Sequence, residues 1–390
     1  VRTMSTDEER RKVEKPNVSI EEACKAVLDI FGICAEIKRC KSLDSYDDAN
    51  FLICEEVVSK GGGRKFVCKY HNGVESANSR FLDAQNSMML HLDKLGFVVP
   101  CPIASTGEGN KLYARVKIAK KEIERENSKT CTEHAVRLLK WVEGNTLATA
   151  PTISPDLLCK TGTYLAALDG ALDTFKDDDA KGLQRTHLWD LQNFEMVSSD
   201  VFTKPLHNDL PKHTLLKKTL SEFKTLVLPL SEKMKLRKGI VHGDFNDANI
   251  VLSPKNDEVG GVIDFGDSTI SWRVNDPAIA MAYVAIALVK ADQKKVHGFG
   301  KKEKEDGSLL YQGMVAFLKG YIAKYKLTLD ELSVVLVLAR CRVATSATLG
   351  WYSYSLDPTN EYLKFHAEPA WKALEEMHDI RMEKFLKDVL

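Results

Sequence analysis

The chain has 390 residues, and its 55 Lys and Arg balance 55 Asp and Glu, so it carries no formal net charge. That length accommodates two domains, or one large two-lobed domain, with a sizeable core. The balanced charge gives no field for nucleic acid or an anionic membrane, and neither partner is expected.

Residues 1–18 are mostly polar and charged, without helical apolar spacing. They read as a disordered tail that lacks the apolar core of a signal peptide. Ser19 with Glu22 forms a capping box ahead of a helix whose apolar face is Ile20, Ala23, Val27, Leu28 and Phe31, ended by Gly32. A β-rich region follows. Phe51 to Val58 reads as a strand, Gly61-Gly62-Gly63 as a turn and Arg64 to Tyr70 as the returning strand. The glycine triplet is not a phosphate cradle, because no Lys-Ser/Thr and no helix follow it. Ser79 to Leu95 has helical spacing, and Met88 and Met89 within it read as core filler. Ala135 to Val142 reads as a buried strand, broken after Glu143-Gly144-Asn145.

Beyond Pro155 the pattern is helical at Leu157–Leu172, Leu215–Met234, Leu309–Tyr325, Leu329–Tyr354 and Ala370–Leu390, with a β-insert around 249–263. Ala278 to Val289 is apolar but too short to span a bilayer, and it reads as a buried helix begun by Asp276-Pro277. A β-rich first third and a helical remainder imply a bilobal α+β protein. The expected division is a tail (1–18), an N-terminal lobe (19–144) and a helical C-terminal lobe (145–390). Nine cysteines without a CxxC pair read as reduced thiols of a cytoplasmic protein. Ten histidines without HExxH give no zinc site.

The chemistry concentrates in Val241-His242-Gly243-Asp244-Phe245-Asn246-Asp247-Ala248-Asn249 and in Val262-Ile263-Asp264-Phe265-Gly266-Asp267. An Asp, four spacers and an Asn come first, and an Asp then ends a short apolar run. The order and spacing resemble those in which kinase-like phosphotransferases carry their groups: a carboxylate to accept a hydrogen bond from the attacking hydroxyl, then oxygen ligands for Mg²⁺ on the nucleotide. Asp244 is the candidate base, and Asn249 and Asp264 are the candidate metal ligands. Lys69 shares a strand face with Val67 and is the candidate for the nucleotide phosphates. Resemblance to a kinase-like lobe implies an acidic partner for it on the following helix, Asp83, with Glu75 as the alternative. The strand carrying Leu139 and Trp141 leads to the hinge, where backbone groups would meet the nucleotide base. The loop Ser42–Asn50 could offer N–H groups to phosphates, but its three aspartates suit that role only if they point away.

These motifs resemble the aminoglycoside phosphotransferase and choline kinase superfamily, whose members carry HGD where protein kinases carry HRD. The resemblance implies a protein-kinase-like fold, with a small β-rich lobe and a larger helical one. It also implies a small-molecule kinase using Mg²⁺ and GTP or ATP. Further strings, Ser45–Phe51, Ala84-Gln85-Asn86, Arg137-Leu138-Leu139 and Trp371-Lys372, resemble the members that phosphorylate 5-hydroxy-L-lysine in amino-acid catabolism with GTP as donor. Such an amino-acid substrate brings two ammonium groups and a carboxylate, so its pocket needs acids and an arginine. The substrate candidates are Asp267, Arg185, Arg340 and Arg342, with Asp190 and the walls Trp189 and Trp351. The alternatives are a choline, ethanolamine, homoserine or methylthioribose kinase of the same fold, or a non-catalytic binding module.

Overall fold

The structure is a computed structural model, and it describes residues 10, 11, 14–56, 63–107, 109–119, 131–176, 178–294, 308–356, 358 and 361–390. The chain divides into two compact units. One holds the described residues up to Glu143 together with Asp178–Leu183; the other holds Gly144–Lys176 and Gln184–Leu390.

In the first unit, helix α1 (Ile20–Phe31) begins at the expected box: Glu22 N–H donates to Ser19 Oγ at 3.2 Å, and Ser19 N–H donates to Glu22 Oε2 at 2.7 Å. Its inner face, Ala23, Val27 and Phe31, covers a five-stranded antiparallel sheet of order β1-β2-β3-β5-β4. The strands are β1 (Lys41–Leu43), β2 (Ala49–Cys54), β3 (Lys65–Tyr70), β4 (Ala114–Ala119) and β5 (Cys131–Lys140). Phe66, Cys68 and Tyr70 alternate into the core, which turns Val67 and Lys69 to the other face. Each such buried aromatic or aliphatic group stabilises the unit by roughly 1.5–3 kcal/mol. After β3 come a short helix, α2 (Gly73–Ser76), and the amphipathic α3 (Ser79–Lys94), where Met88 and Met89 are buried core residues.

One expectation lies outside the described residues and another changes. The 57–62 segment, with the end of the Phe51–Val58 strand and Gly61-Gly62, lies outside the described residues, as do residues 1–9, 12 and 13. The described part of the expected tail is docked. Arg11 forms an ion pair with Asp47 at 2.6 Å, and Lys15 donates to the Ser45 and Tyr46 carbonyls at 3.0 and 3.2 Å. Polar contacts of Arg11 and Lys15 hold it, together with burial of Pro16 and the packing of Val18 against the core.

The second unit is mainly helical. Helix α4 (Pro155–Leu172) crosses α7 (Leu309–Lys324) closely, because Gly162 and Gly320 let each backbone approach the other; a Cβ at either would strike a carbonyl. Helix α6 (Asn275–Lys294) carries the buried run Ala278–Val289. Helix α8 (Leu329–Leu356) is long and apolar enough to cross a membrane, but 89% of its apolar window is buried within the protein, so it is a core helix. The expected Leu215–Met234 helix is α5 (Leu210–Glu222), followed by a π-type turn at Phe223–Val227 and a short helix at Leu228–Glu232. Pro229 explains the irregularity, since it has no N–H to continue an α-helical ladder. The expected Ala370–Leu390 helix is two, α9 (Glu361–His378) and α10 (Met382–Val389).

Two small antiparallel pairs sit among the helices: β6 (Lys238–Val241) with β9 (Thr269–Trp272), and β7 (Ile250–Leu252) with β8 (Val259–Val262). The chemistry-bearing loops run from β6 to β7 and from β8 to β9. Strand β4 and the β6–β9 pair were not expected. At four residues, β6 and β9 are too short to show a period.

Candidate active site

Asp276 anchors the first loop. Its carboxylate accepts from His242 N–H at 2.7 Å and from Gly243 N–H at 2.9 Å. Gly243 has φ +80°, and a Cβ there would run into the Asp267 carbonyl, so the turn demands glycine. His242 is buried against Phe265, with ring centroids 4.8 Å apart. Asp244 N–H donates to His242 Nδ1 at 3.2 Å, while His242 Nε2 lies 3.2 Å from the Ile263 carbonyl. Nδ1 accepts, so Nε2 carries the proton. Burial holds this histidine below its ordinary pKa, and neutral His242 ties the Asp244 loop to the strand end before Asp264.

Three side chains hold the Asp244 carboxylate. Arg342 Nη2 donates to Oδ1 at 2.7 Å, and Asn246 and Asn249 donate to Oδ2 at 2.9 Å each. Asn249 Nδ2 also reaches the Asp244 carbonyl at 3.0 Å, which turns its Oδ1 away from Asp244. Burial raises the Asp244 carboxyl above the usual range and Asp264 adds to this, while Arg342 opposes. With three donors on the carboxylate, the geometry supports the ionised form.

Asp264 stands at φ +60°, a left-handed conformation that a non-glycine residue seldom takes, and accepts from Gly266 N–H at 3.1 Å. Asp267 is pushed up to about 6 by burial, then by Asp244, with Arg185 opposing. Arg185 lies 3.7 Å from the Asp267 carboxylate and also donates to the Gly266 carbonyl. Thus Asp244, Asp264 and Asp267 crowd negative charge together. That crowding, with the outward amide oxygen of Asn249, fits a hard divalent cation that takes oxygen ligands.

Arg342 reaches the site, but not in the role expected for it. Its guanidinium is spent on Asp244, on the Trp189 carbonyl at 3.0 Å and on Tyr283 Oη at 3.2 Å. It also lies over the Trp189 and Tyr283 rings, 4.8 and 5.3 Å from their centroids. It therefore braces Asp244 rather than awaiting a substrate carboxylate. Arg340, two residues back on the helix, points elsewhere. It donates to the Met377 and Ile380 carbonyls and pairs with Glu222 at 3.0 Å, so it caps the end of α9 and is not a substrate group. Asp190 is likewise structural, accepting from Ser271 Oγ at 2.6 Å.

In the first unit, Lys69 is largely buried and pairs with Asp48 at 2.9 Å. The loop aspartate expected to point away is thus an acidic partner of the lysine, beyond the two expected. Glu75 Oε2 lies 3.1 Å from His71 Nδ1, and its Oε1 is 3.3 Å from Arg11; Asp83 is on the exposed face of α3. Leu139 lies in the ladder opposite Val67, and Lys140 and Trp141 donate their N–H groups to the Cys101 and Lys65 carbonyls. The expected base contacts at Leu139 and at the Trp141 N–H are thus already taken by the sheet.

Sequence reasoning did not find Asp276, Tyr283 or His187, the last 4.0 Å from Asp267. Asp276 was legible only as a helix start, in Asp276-Pro277. Tyr283 lies in an apolar helical run that carries no signal of function.

An anchored carboxylate, an outward amide oxygen and a strained second aspartate are the parts of a phosphotransferase site. The model of the phosphotransferase enzyme family matches residues 56–308, and the chain belongs to that family. It is a small-molecule kinase that transfers phosphate from a nucleotide to a hydroxyl acceptor. The chain is similar to a hydroxylysine kinase of Xenopus laevis, 27% identical over 380 residues, covering 95% of this chain and 92% of the relative. It is also similar to one of Bos taurus, 25% identical over 384 residues, covering 96% and 93%. Among solved structures, an amicoumacin kinase in complex with AMP-PNP, Ca²⁺ and Ami shares the fold, with TM-score 0.65, 15% identity and coverage of 98% of this chain and 99% of that one. A microcompartment-associated aminopropanol kinase does so with TM-score 0.55, 15% identity and coverage of 95% and 99%.

Proposed function

We propose that this kinase transfers the γ-phosphoryl group of GTP, or of ATP, to the side-chain hydroxyl of 5-hydroxy-L-lysine. The near-full-length similarity to hydroxylysine kinases carries the choice of acceptor. The carboxylate of Asp244, held by three donors yet still 20% exposed, carries the chemistry.

In this reading Asp244 orients the hydroxyl and takes its proton late in an in-line transfer that depends mainly on positioning. Asn249 and Asp264 would hold Mg²⁺, which neutralises charge on the transferred group. Lys69 binds phosphate oxygens, with Asp48 fixing its ammonium. Arg342 keeps Asp244 ionised and aimed. Asp267 receives a substrate ammonium, which stabilises its ionised form against the push from Asp244, and Arg185 steadies it. Eight described cysteines are free thiols, in keeping with a cytoplasmic enzyme of amino-acid catabolism.

A choline kinase is the weaker reading. Such a pocket needs open aromatic faces, and the Trp189 and Tyr283 rings are already covered by Arg342. The test is steady-state turnover of 5-hydroxy-L-lysine, homoserine, choline and ethanolamine with GTP and with ATP. Hydroxylysine should give the highest kcat/KM and GTP should be the better donor. A higher value for another acceptor overturns the substrate assignment.

A further inference from the structure

Arg11 heads a bonded chain that ends at the proposed nucleotide lysine. Arg10 and Glu14 are bonded to each other: Glu14 N–H donates to the Arg10 carbonyl at 2.7 Å, and Arg10 pairs with Glu14 at 3.2 Å. Gly73, the first residue of α2, donates its N–H to the Glu14 carbonyl at 3.1 Å, and Lys15 holds the loop carbonyls of Ser45 and Tyr46. Arg11 meets Asp47 at 2.6 Å and Glu75 at 3.3 Å. Asn72 donates its Nδ2 to Asp47 at 3.1 Å and its backbone N–H to Asp48 at 2.8 Å, and Asp48 pairs with Lys69.

The named charges of this cluster balance only when Arg11 is counted. Asp47, Asp48 and Glu75 face Lys69 and Arg11, while Arg137 enters through His71 at 2.9 Å. Asp47 is pushed up to about 7 by burial, then by Asp48 and Glu75, with Arg11 opposing. Without Arg11, carboxylates would dominate the surroundings of the lysine that must attract a polyphosphate, and like charge disfavours that ligand.

We infer that Arg11 is a positioning residue for nucleotide binding, offsetting the Asp47 carboxylate so that the charge of Lys69 is not outweighed by the acids around it when it meets the phosphates. The inference rests on the nucleotide role proposed for Lys69. It makes Arg11, ahead of α1, part of the nucleotide site.

Calorimetric titration of the full chain with the magnesium complex of a non-hydrolysable GTP analogue tests this, with thermal midpoints measured alongside. Arg11→Ala should weaken binding about fivefold at low salt, the scale of a partly exposed ion pair, with less effect at high salt. Arg11→Lys should keep most of the affinity. Adding Asp47→Asn to Arg11→Ala should restore it, because the uncompensated carboxylate is then gone. Unchanged affinity in Arg11→Ala overturns the inference, and so does a double variant as weak as the single one, which would mark Arg11 as a tether only. If Lys69→Met binds the analogue as well as the wild type, the nucleotide role of the lysine falls first, and this inference with it.

Discussion

The His242–Asp267 region and the surroundings of Lys69 both gather charge, but they assemble it differently. The first draws Asp244, Asn249, Asp264 and Asp267 from two neighbouring loops at the ends of short strands and pins them by local hydrogen bonds. Asp276, Arg342 and Arg185 reach it from outside those loops. The second region brings Arg11, Asp48, Glu75 and Arg137 together around one strand from widely separated positions. Spacing in the chain therefore encodes the chemistry of the first region, while tertiary packing alone encodes the electrostatics of the second.

Substitutions in the two regions should separate accordingly, with the first governing kcat and the second governing nucleotide affinity. The largest effect belongs to Asp244→Asn, which should lower kcat by about 10²–10⁴-fold, the range for a general base, while nucleotide affinity stays near wild type. Retention of more than about a tenth of kcat contradicts the base assignment. Asp264→Ala should abolish the Mg²⁺-dependent tightening of nucleotide binding; calorimetry showing equal Mg²⁺ enhancement in variant and wild type removes Asp264 as a ligand. Arg342→Met should lower kcat roughly 10- to 100-fold, as expected for losing a charged hydrogen bond, with little change in KM for either substrate. A raised KM for the amino acid with kcat intact would instead make Arg342 the carboxylate-binding group. The smallest effect is that of Lys69→Met, which should raise the nucleotide KM about tenfold with a lesser change in kcat. A fall in kcat at unchanged KM would dissolve the contrast between the regions.

The parts legible in the sequence share a physical basis. The capping box at Ser19, the alternation that sets Lys69 opposite the core, the buried helix at Ala278–Val289 and the HGD and DFG loops all depend on residues close in the chain. What could not be read depends on partners far apart. Arg340 and Arg342 sit in the same apolar helix, and nothing local shows that one caps α9 while the other braces Asp244. A helix turns successive residues about 100° apart, so their opposite fates follow from the geometry once the neighbours are known. The loop aspartates suited a phosphate role only if they pointed away, because a carboxylate beside phosphate is unfavourable; Asp48 instead pairs with Lys69, which offsets that penalty. Arg11 had no apolar pattern to announce its place, since ion pairs with Asp47 and Glu75 hold it.

The central claim is that this site esterifies a side-chain hydroxyl of an amino acid. Phosphorus NMR of the products formed from GTP and 5-hydroxy-L-lysine tests it most directly. The account predicts a phosphomonoester that appears only when the hydroxylated amino acid is present, and none when lysine replaces it, because a site built around a hydroxyl rejects the analogue that lacks it. Inorganic phosphate alone, or a phosphorylated product from lysine, would contradict it.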